Sequence, residues 1–252
     1  MYATTGLSRK QIQWVCQQIR EMSGSDQKRP WPPILGLFTG VRVTLTYLRR
    51  NRSQADLAET FGVSQPTISR AIAALTGPIG AVLAGWVPTA DDLADDVPYV
   101  VDGSLLPCWS WASQPDLYSG KHHTTGVNVQ VAATLSGTVV WVSDPLPGCT
   151  HDLTALRAHG FLDGLTATSM IADKGYQGSG MITPVKKPIG GTLTDNEKNY
   201  NTDVNSLRAV IERVIAHLKN WRILHTDYRR PFHTFAQTIT TVIALHFYTL
   251  AP

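Results

Sequence analysis

Cysteine is scarce and scattered. Cys16, Cys108 and Cys149 are the only three, they form no CxxC pair and their number is odd, so neither a disulfide framework nor a cysteine-rich zinc site is built from them. His122, His123, Cys149 and His151 likewise lack any zinc-ligand spacing. Long apolar runs are missing too. The stretch from Pro33 to Leu48 is broken by Arg42, and the one from Thr240 to Leu250 carries His246 and several threonines, so both are expected as buried helices and not as bilayer spans. No basic-then-apolar leader opens the sequence. The expectation is a cytoplasmic protein with no membrane partner.

Charge of one sign is not in large excess, since the net charge is only +3, but it is unevenly spread. Residues 1–86 hold ten Lys/Arg against four Asp/Glu, whereas residues 87–96 hold four Asp and no basic residue. The basic amino-terminal part is where a polyanion would first dock. Within it, LSRKQIQWVCQQIREM and ILGLFTGVRVTLTYLRR have helical periodicity, separated by a Gly-, Ser- and Pro-rich loop.

The most diagnostic local pattern is SQADLAETFGVSQPTISRAIAALTG, residues 53–77. Ser53 is placed to cap a helix carrying Leu57, Ala58 and Phe61. Gly62 supplies a left-handed turn, and Ser64 caps a second helix carrying Ile68, Ile72 and Leu75. Two short helices joined in this way form a helix-turn-helix. With the second helix in a major groove, Gln65, Thr67, Ser69 and Arg70 are the candidates to touch DNA, beside Arg49, Arg50 and Arg52 as phosphate contacts.

Residues 87–96 read as a linker whose aspartates cap a short turn. Short apolar runs follow: VPYVVDGS, TGVNVQVAATL and GTVVWVSDPL as strands, HDLTALRAHGFL as a helix, then ATSMIADKGYQG as another strand. Strands first, then mixed helix and strand, imply an α+β domain with a mixed sheet. Two strands are expected to end in Asp before a glycine-containing turn, at Asp102-Gly103 and at Asp173-Lys174-Gly175. A carboxylate at the end of a buried strand is costly without a partner, and metal is the usual one. Glu212 lies beside the apolar face of a strong helix, NSLRAVIERVIAHLKNWRIL, with Arg208 one turn before it. Three hard oxygen ligands suit Mg²⁺ or Mn²⁺. Two such ions about 4 Å apart serve phosphodiester displacement.

Taken in order, VDGS, GCTHDLTALR, ADKGYQG and RAVIERVIAHLKNWRIL behind a helix-turn-helix resemble the DDE-type transposases, in the bacterial insertion-sequence branch related to Harbinger elements. The resemblance implies residues 1–86 as the helical DNA-binding region, 87–96 as linker and 97–252 as an RNase H-like catalytic domain. Asp102, Asp173 and Glu212 would be its catalytic acids. Asp152, in the THD block, is open as a further metal ligand, as a group behind the ligands, or as the N-cap of the helix after it. Lys121, Lys174 and Arg208 are the main phosphate-contact candidates of this half, while Trp109 and Trp111 are expected in the core. The implied activity is metal-dependent cleavage and strand transfer on double-stranded DNA, at terminal inverted repeats and target, by a homodimer or larger assembly on the nucleoid. A silent domesticated DNA-binding protein and a nuclease of the same fold are the alternatives.

Overall fold

In the computed structural model, which describes residues 3–24 and 30–250, the first helix starts where its polar entry predicts. The Ser8 hydroxyl accepts from the Gln11 amide, and the Gln11 side chain accepts from the Ser8 amide. This reciprocal cap opens α1 (Arg9–Ser23). The loop expected after it lies outside the described residues at 25–29. There follow α2 (Gly36–Arg50), α3 (Gln54–Phe61) and α4 (Gln65–Leu83). Contacts divide the chain into two units, residues 1–87 with 218–252 and residues 88–217.

In the first unit α4 is the central element. Its Ile68, Ile72, Leu75, Ile79 and Leu83 are fully buried, and it packs against α2 and against α7 (Phe235–Leu250). Gly80 permits that second contact, since a Cβ there would stand 2.6 Å from the Thr241 hydroxyl oxygen. Thr241 in turn donates to the Thr76 carbonyl at 3.0 Å. By packing, the residues after His217 belong to the first unit. Residues 218–250 share a core with the amino-terminal helices because α7 is apolar around most of its circumference, burying Phe235, Ile239, Val242, Ile243 and Leu245. The stretch from Gln65 is long and apolar enough to cross a membrane by length and composition, contrary to the sequence expectation, but its apolar stripe is occupied by this core.

The helix-turn-helix forms as expected. Ser53 accepts from the Asp56 amide at 3.1 Å. Gly62 adopts φ 64°, and its amide donates back to the end of α3, a conformation cheap only for glycine.

The second unit is built on a mixed sheet. Strand β1 (Tyr99–Pro107) pairs antiparallel with β3 (Thr124–Thr134), which also pairs with the short β2 (Tyr118–Ser119), β4 (Val139–Val142) and β5 (Leu146–Pro147). Helix α5 (Asp152–Ala158) leans on β3, and α6 (Asp195–Leu218) belongs to this unit through His217. The architecture is the α+β one expected. The strand expected over 167–178 is reduced to a parallel bridge at Ile171, beside Val100 on one side and Ile182 on the other. Tight turns at Ala167–Ser169 and Lys174–Tyr176 cut it short at both ends.

Candidate active site

Asp102 does not end its strand. It is the fourth of the nine residues of β1, opposite Val131, and the glycine after it serves close approach instead of a turn. A Cβ on Gly103 would stand 2.3 Å from Oδ1 of Asp152 and 2.9 Å from its Cγ. Side chains alternate along a strand. Gly103 thus faces the same side as Tyr99 and Val101, which pack with Leu156 of α5, while Asp102 is turned away from Gly103 but stays within electrostatic reach of Asp173 and Lys121. The Asp102 Oδ2 accepts from Arg208 of α6 at 3.2 Å.

Asp152 is the first residue of α5 and is buried. Its Oδ2 accepts from Lys121 Nζ at 2.7 Å and its Oδ1 from Asn128 Nδ2 at 3.0 Å. Behind it runs a chain of buried polar groups: Gln130 donates to Asn128 at 3.1 Å, and the Tyr176 hydroxyl donates to Gln130. Neither Asn128, Gln130 nor Tyr176 stood out in the sequence. The available signal was the alternation VNVQV, which sets amides at every second position of an otherwise apolar strand.

Asp173 does end the Ile171 segment. Its Oδ1 accepts from the Gly175 amide at 2.6 Å, and Lys121 Nζ lies 3.9 Å from its Oδ2. Gly175 carries no side chain where a Cβ would be 2.8 Å from Asp173 and 3.3 Å from Asp152. Asp152, Asp173 and Lys121 line a cleft of about 490 Å³ together with Ser119, His122 and His151.

The electrostatics divide the acids. Burial, with the Asp173 charge adding to it, pushes the Asp102 carboxyl up to about 6 against the opposing pull of Arg208. Burial also works against Asp152, but the Lys121, Asn128 and Gln130 hydrogen bonds and the Lys121 charge outweigh it and hold that carboxyl below the usual range. Burial would depress the Lys121 ammonium, yet the Asp152 hydrogen bond and the surrounding carboxylates keep it above its ordinary value. Burial and the three carboxylates push the Tyr176 phenol upward, so it stays a donor.

Glu212 is exposed on α6, four residues beyond Arg208 and hence on the same face, one turn along. Leu207, expected on the buried face of that helix, is exposed. Among the described residues no three His, Cys, Asp or Glu side chains converge into a metal cage. Lys174 is exposed, while Lys121 and Arg208 are engaged by the acids.

In the helix-turn-helix, Gln65 and Arg70 are exposed and Ser69 is half-buried. Thr67 is buried against expectation, its hydroxyl sharing a 3.0 Å hydrogen bond with Ser64. It shapes the start of α4 from within and has no free surface to offer a base. Of the flanking arginines, Arg52 pairs with Asp56 and Arg49 lies 5.1 Å above the Trp221 ring, leaving Arg50 exposed. Trp109, expected in the core, is 52% exposed.

A carboxylate-lined cleft behind a helix-turn-helix is the pattern that comparison with known proteins resolves. Residues 101–246 match the model of the DDE superfamily endonucleases, and residues 35–77 match the helix-turn-helix of the same superfamily. The chain belongs to the DDE superfamily endonucleases. It is 31% identical over 225 residues to the putative transposase for insertion sequence element IS112 of Streptomyces albus G, covering 87% of this chain and 83% of that protein. It is 24% identical over 257 residues to the probable transposase for insertion sequence element IS702 of Microchaete diplosiphon, covering 98% and 93%. No solved structure matches. The expected function, a DNA transposase with endonuclease chemistry, stands on these matches.

DDE endonucleases use divalent metal ions, and the donor set fits such an ion by its chemistry. All the donors are hard carboxylate oxygens. Asp102 is buried and undercompensated, its carboxyl held at about 6, which is the condition a nearby divalent charge relieves. Arg208 Nε is buried with no hydrogen-bond partner, an unanswered donor that a phosphate oxygen and not a cation would satisfy.

Proposed function

We propose that the chain cleaves the terminal inverted repeats of its own element and joins the freed 3′-hydroxyl ends to target DNA. In this reading Asp102, Asp173 and Glu212 would hold two Mg²⁺ or Mn²⁺ ions. Asp152 would act behind them as the carboxylate that sets Lys121. The observation that carries the assignment is the alternation of β1. It turns Asp102 toward α6, the helix of Arg208 and Glu212, and leaves Asp152 on the α5 side with its oxygens taken by Lys121 and Asn128. The bound ions would activate the attacking oxygen and stabilise the leaving one.

The remaining roles fall to the chain itself. Arg208 holds the Asp102 carboxylate in place and, with its unpartnered Nε, offers a donor to a phosphate oxygen. The chain Tyr176, Gln130, Asn128 fixes Asp152, and Gly103 and Gly175 let that carboxylate sit against the backbone. Gln65, Ser69 and Arg70 at the start of α4 would read the element ends in the major groove, with Arg50 and Lys174 on phosphates. Two ends must be joined in one event, so the working form is a homodimer or larger assembly on DNA, acting in the cytoplasm on the nucleoid.

The test is to incubate the protein and Mg²⁺ with a duplex carrying the element end and a supercoiled target. Covalently joined end-target products are expected, with no protein-DNA adduct. Cleavage without joining would reduce the activity to that of a nuclease. End binding without cleavage would identify a silent DNA-binding descendant.

A further inference from the structure

Lys121 is the most exposed member of an otherwise enclosed cluster. Asp152 is tied by Asn128 and wedged against Gly103, and Asp173 is tied to the Gly175 amide. Arg208 and Asp102 hold each other with side chains only 14% and 16% exposed. The Lys121 side chain, by contrast, is 53% exposed. It rises from the 120–123 loop between β2 and β3, where His123 adopts φ 51°. Its ammonium lies between two carboxylates, at 2.7 Å and 3.9 Å, at the wall of the 490 Å³ cleft. An ammonium on a flexible stem is a compact point charge without the fixed fork of a guanidinium. It can therefore be replaced by another compact cation without rebuilding the site.

Resting on the ligand assignment above, we propose that Lys121 is an exchangeable counter-charge. It holds the acidic cluster together in the metal-free protein and moves onto the scissile phosphate once divalent cation has entered among the carboxylates. Charge balance supplies the driving force. Asp102, Asp152 and Asp173 face Lys121 and Arg208, three negative charges against two positive. The first divalent ion to enter turns that local balance positive, and Lys121, with a side chain 53% exposed against 14% for Arg208, is the cation placed to move away. A phosphodiester brings negative charge back beside it. Lys121 thereby makes productive metal loading and substrate binding interdependent, and it becomes a catalytic residue only in the complex.

The experiment measures Mn²⁺ binding to the full chain by paramagnetic resonance of the free ion, and cleavage of a duplex element end at saturating Mn²⁺. Lys121→Gln should bind Mn²⁺ about tenfold more tightly, because the competing charge is gone, yet cleave about 100-fold more slowly. A second readout needs no variant. Acylation of lysines in the unmodified protein, followed by mass spectrometry, should label Lys121 several-fold faster in Mn²⁺ than in chelator. Mn²⁺ binding by Lys121→Gln that is unchanged or weaker would mark a fixed structural bridge and overturn the proposal, as would undiminished cleavage or metal-independent labelling. The ligand assignment is checked separately with Asp102→Asn: Mn²⁺ binding equal to that of the unmodified protein would refute the assignment itself, whatever Lys121 does.

Discussion

Replacing Gly103 by alanine adds a single methyl group in the middle of β1, far from any turn, and is expected to damage the site without removing a ligand. The new Cβ would stand 2.3 Å from Asp152 Oδ1, 2.9 Å from its Cγ and 3.1 Å from Gln130 Nε2. Ordinary contact begins near 3.4 Å, so the carboxylate must retreat by about 1 Å, of the size that costs ~10²-fold in rate when catalytic groups are misplaced. Retreat is resisted by hydrogen bonds from Asn128 and Lys121, and overpacking of this kind costs about 1–3 kcal/mol. For a chain of this size each kcal/mol lowers the melting temperature by roughly 2–4 °C. The assay pairs thermal melts with metal-dependent cleavage of a duplex element end. In an Asp152→Ala background the same methyl group should cost much less in stability, since its closest obstacle is gone and only the 3.1 Å approach to Gln130 Nε2 remains. An alanine variant that melts and cleaves like the unmodified protein would refute the proposed approach of Asp152 to β1.

Three further outcomes are expected. With the Asp102 carboxyl at about 6 in the folded chain, the folded state binds that proton more tightly than the unfolded one. The stability this contributes is complete below pH 4 and lost as pH rises through 6, amounting to about 3 kcal/mol. Denaturant melts of the metal-free protein, compared with Asp102→Asn, should diverge between pH 4 and 7, and a pH-independent difference would contradict this. Arg70→Ala should weaken binding to element-end DNA by about 1–3 kcal/mol while changing the melt by less than about 0.5 kcal/mol; filter binding at fixed salt checks it. Leu75→Ala, emptying a fully buried position between α4 and α2, should destabilise the first unit by about 2–5 kcal/mol, read by urea unfolding.

Local chemistry was the part most legible in the sequence. Ser53 and Gly62 announce the helix-turn-helix because cap and turn depend on residues a few positions apart. The apolar run closed by Asp and Gly marked both Asp102 and Asp173, although the reason differs from the one expected at Asp102. Its glycine answers to Asp152, which is 49 residues further along, and no local pattern encodes such a meeting. The placement of α7 was illegible for the same reason. Its apolar residues demand burial but do not say against what, and Gly80 together with Thr241 decides it only in three dimensions. Thr67 was misread because a threonine at the start of a recognition helix looks like a base contact, whereas here Ser64 turns its hydroxyl inward. Glu212 keeps its expected helix and stands exposed one turn beyond Arg208.

The most direct test of the central claim is Mg²⁺-dependent cleavage of DNA bearing the element's own ends by the unmodified protein and by Asp102→Asn, Asp152→Asn, Asp173→Asn and Glu212→Gln, each first shown to bind the ends. The account expects Asp102→Asn, Asp173→Asn and Glu212→Gln to bind DNA normally and cleave nothing detectable, with Asp152→Asn cleaving slowly. Full cleavage by any of the first three, or complete loss in Asp152→Asn together with activity in Asp173→Asn, would contradict it and move the second ligand to α5.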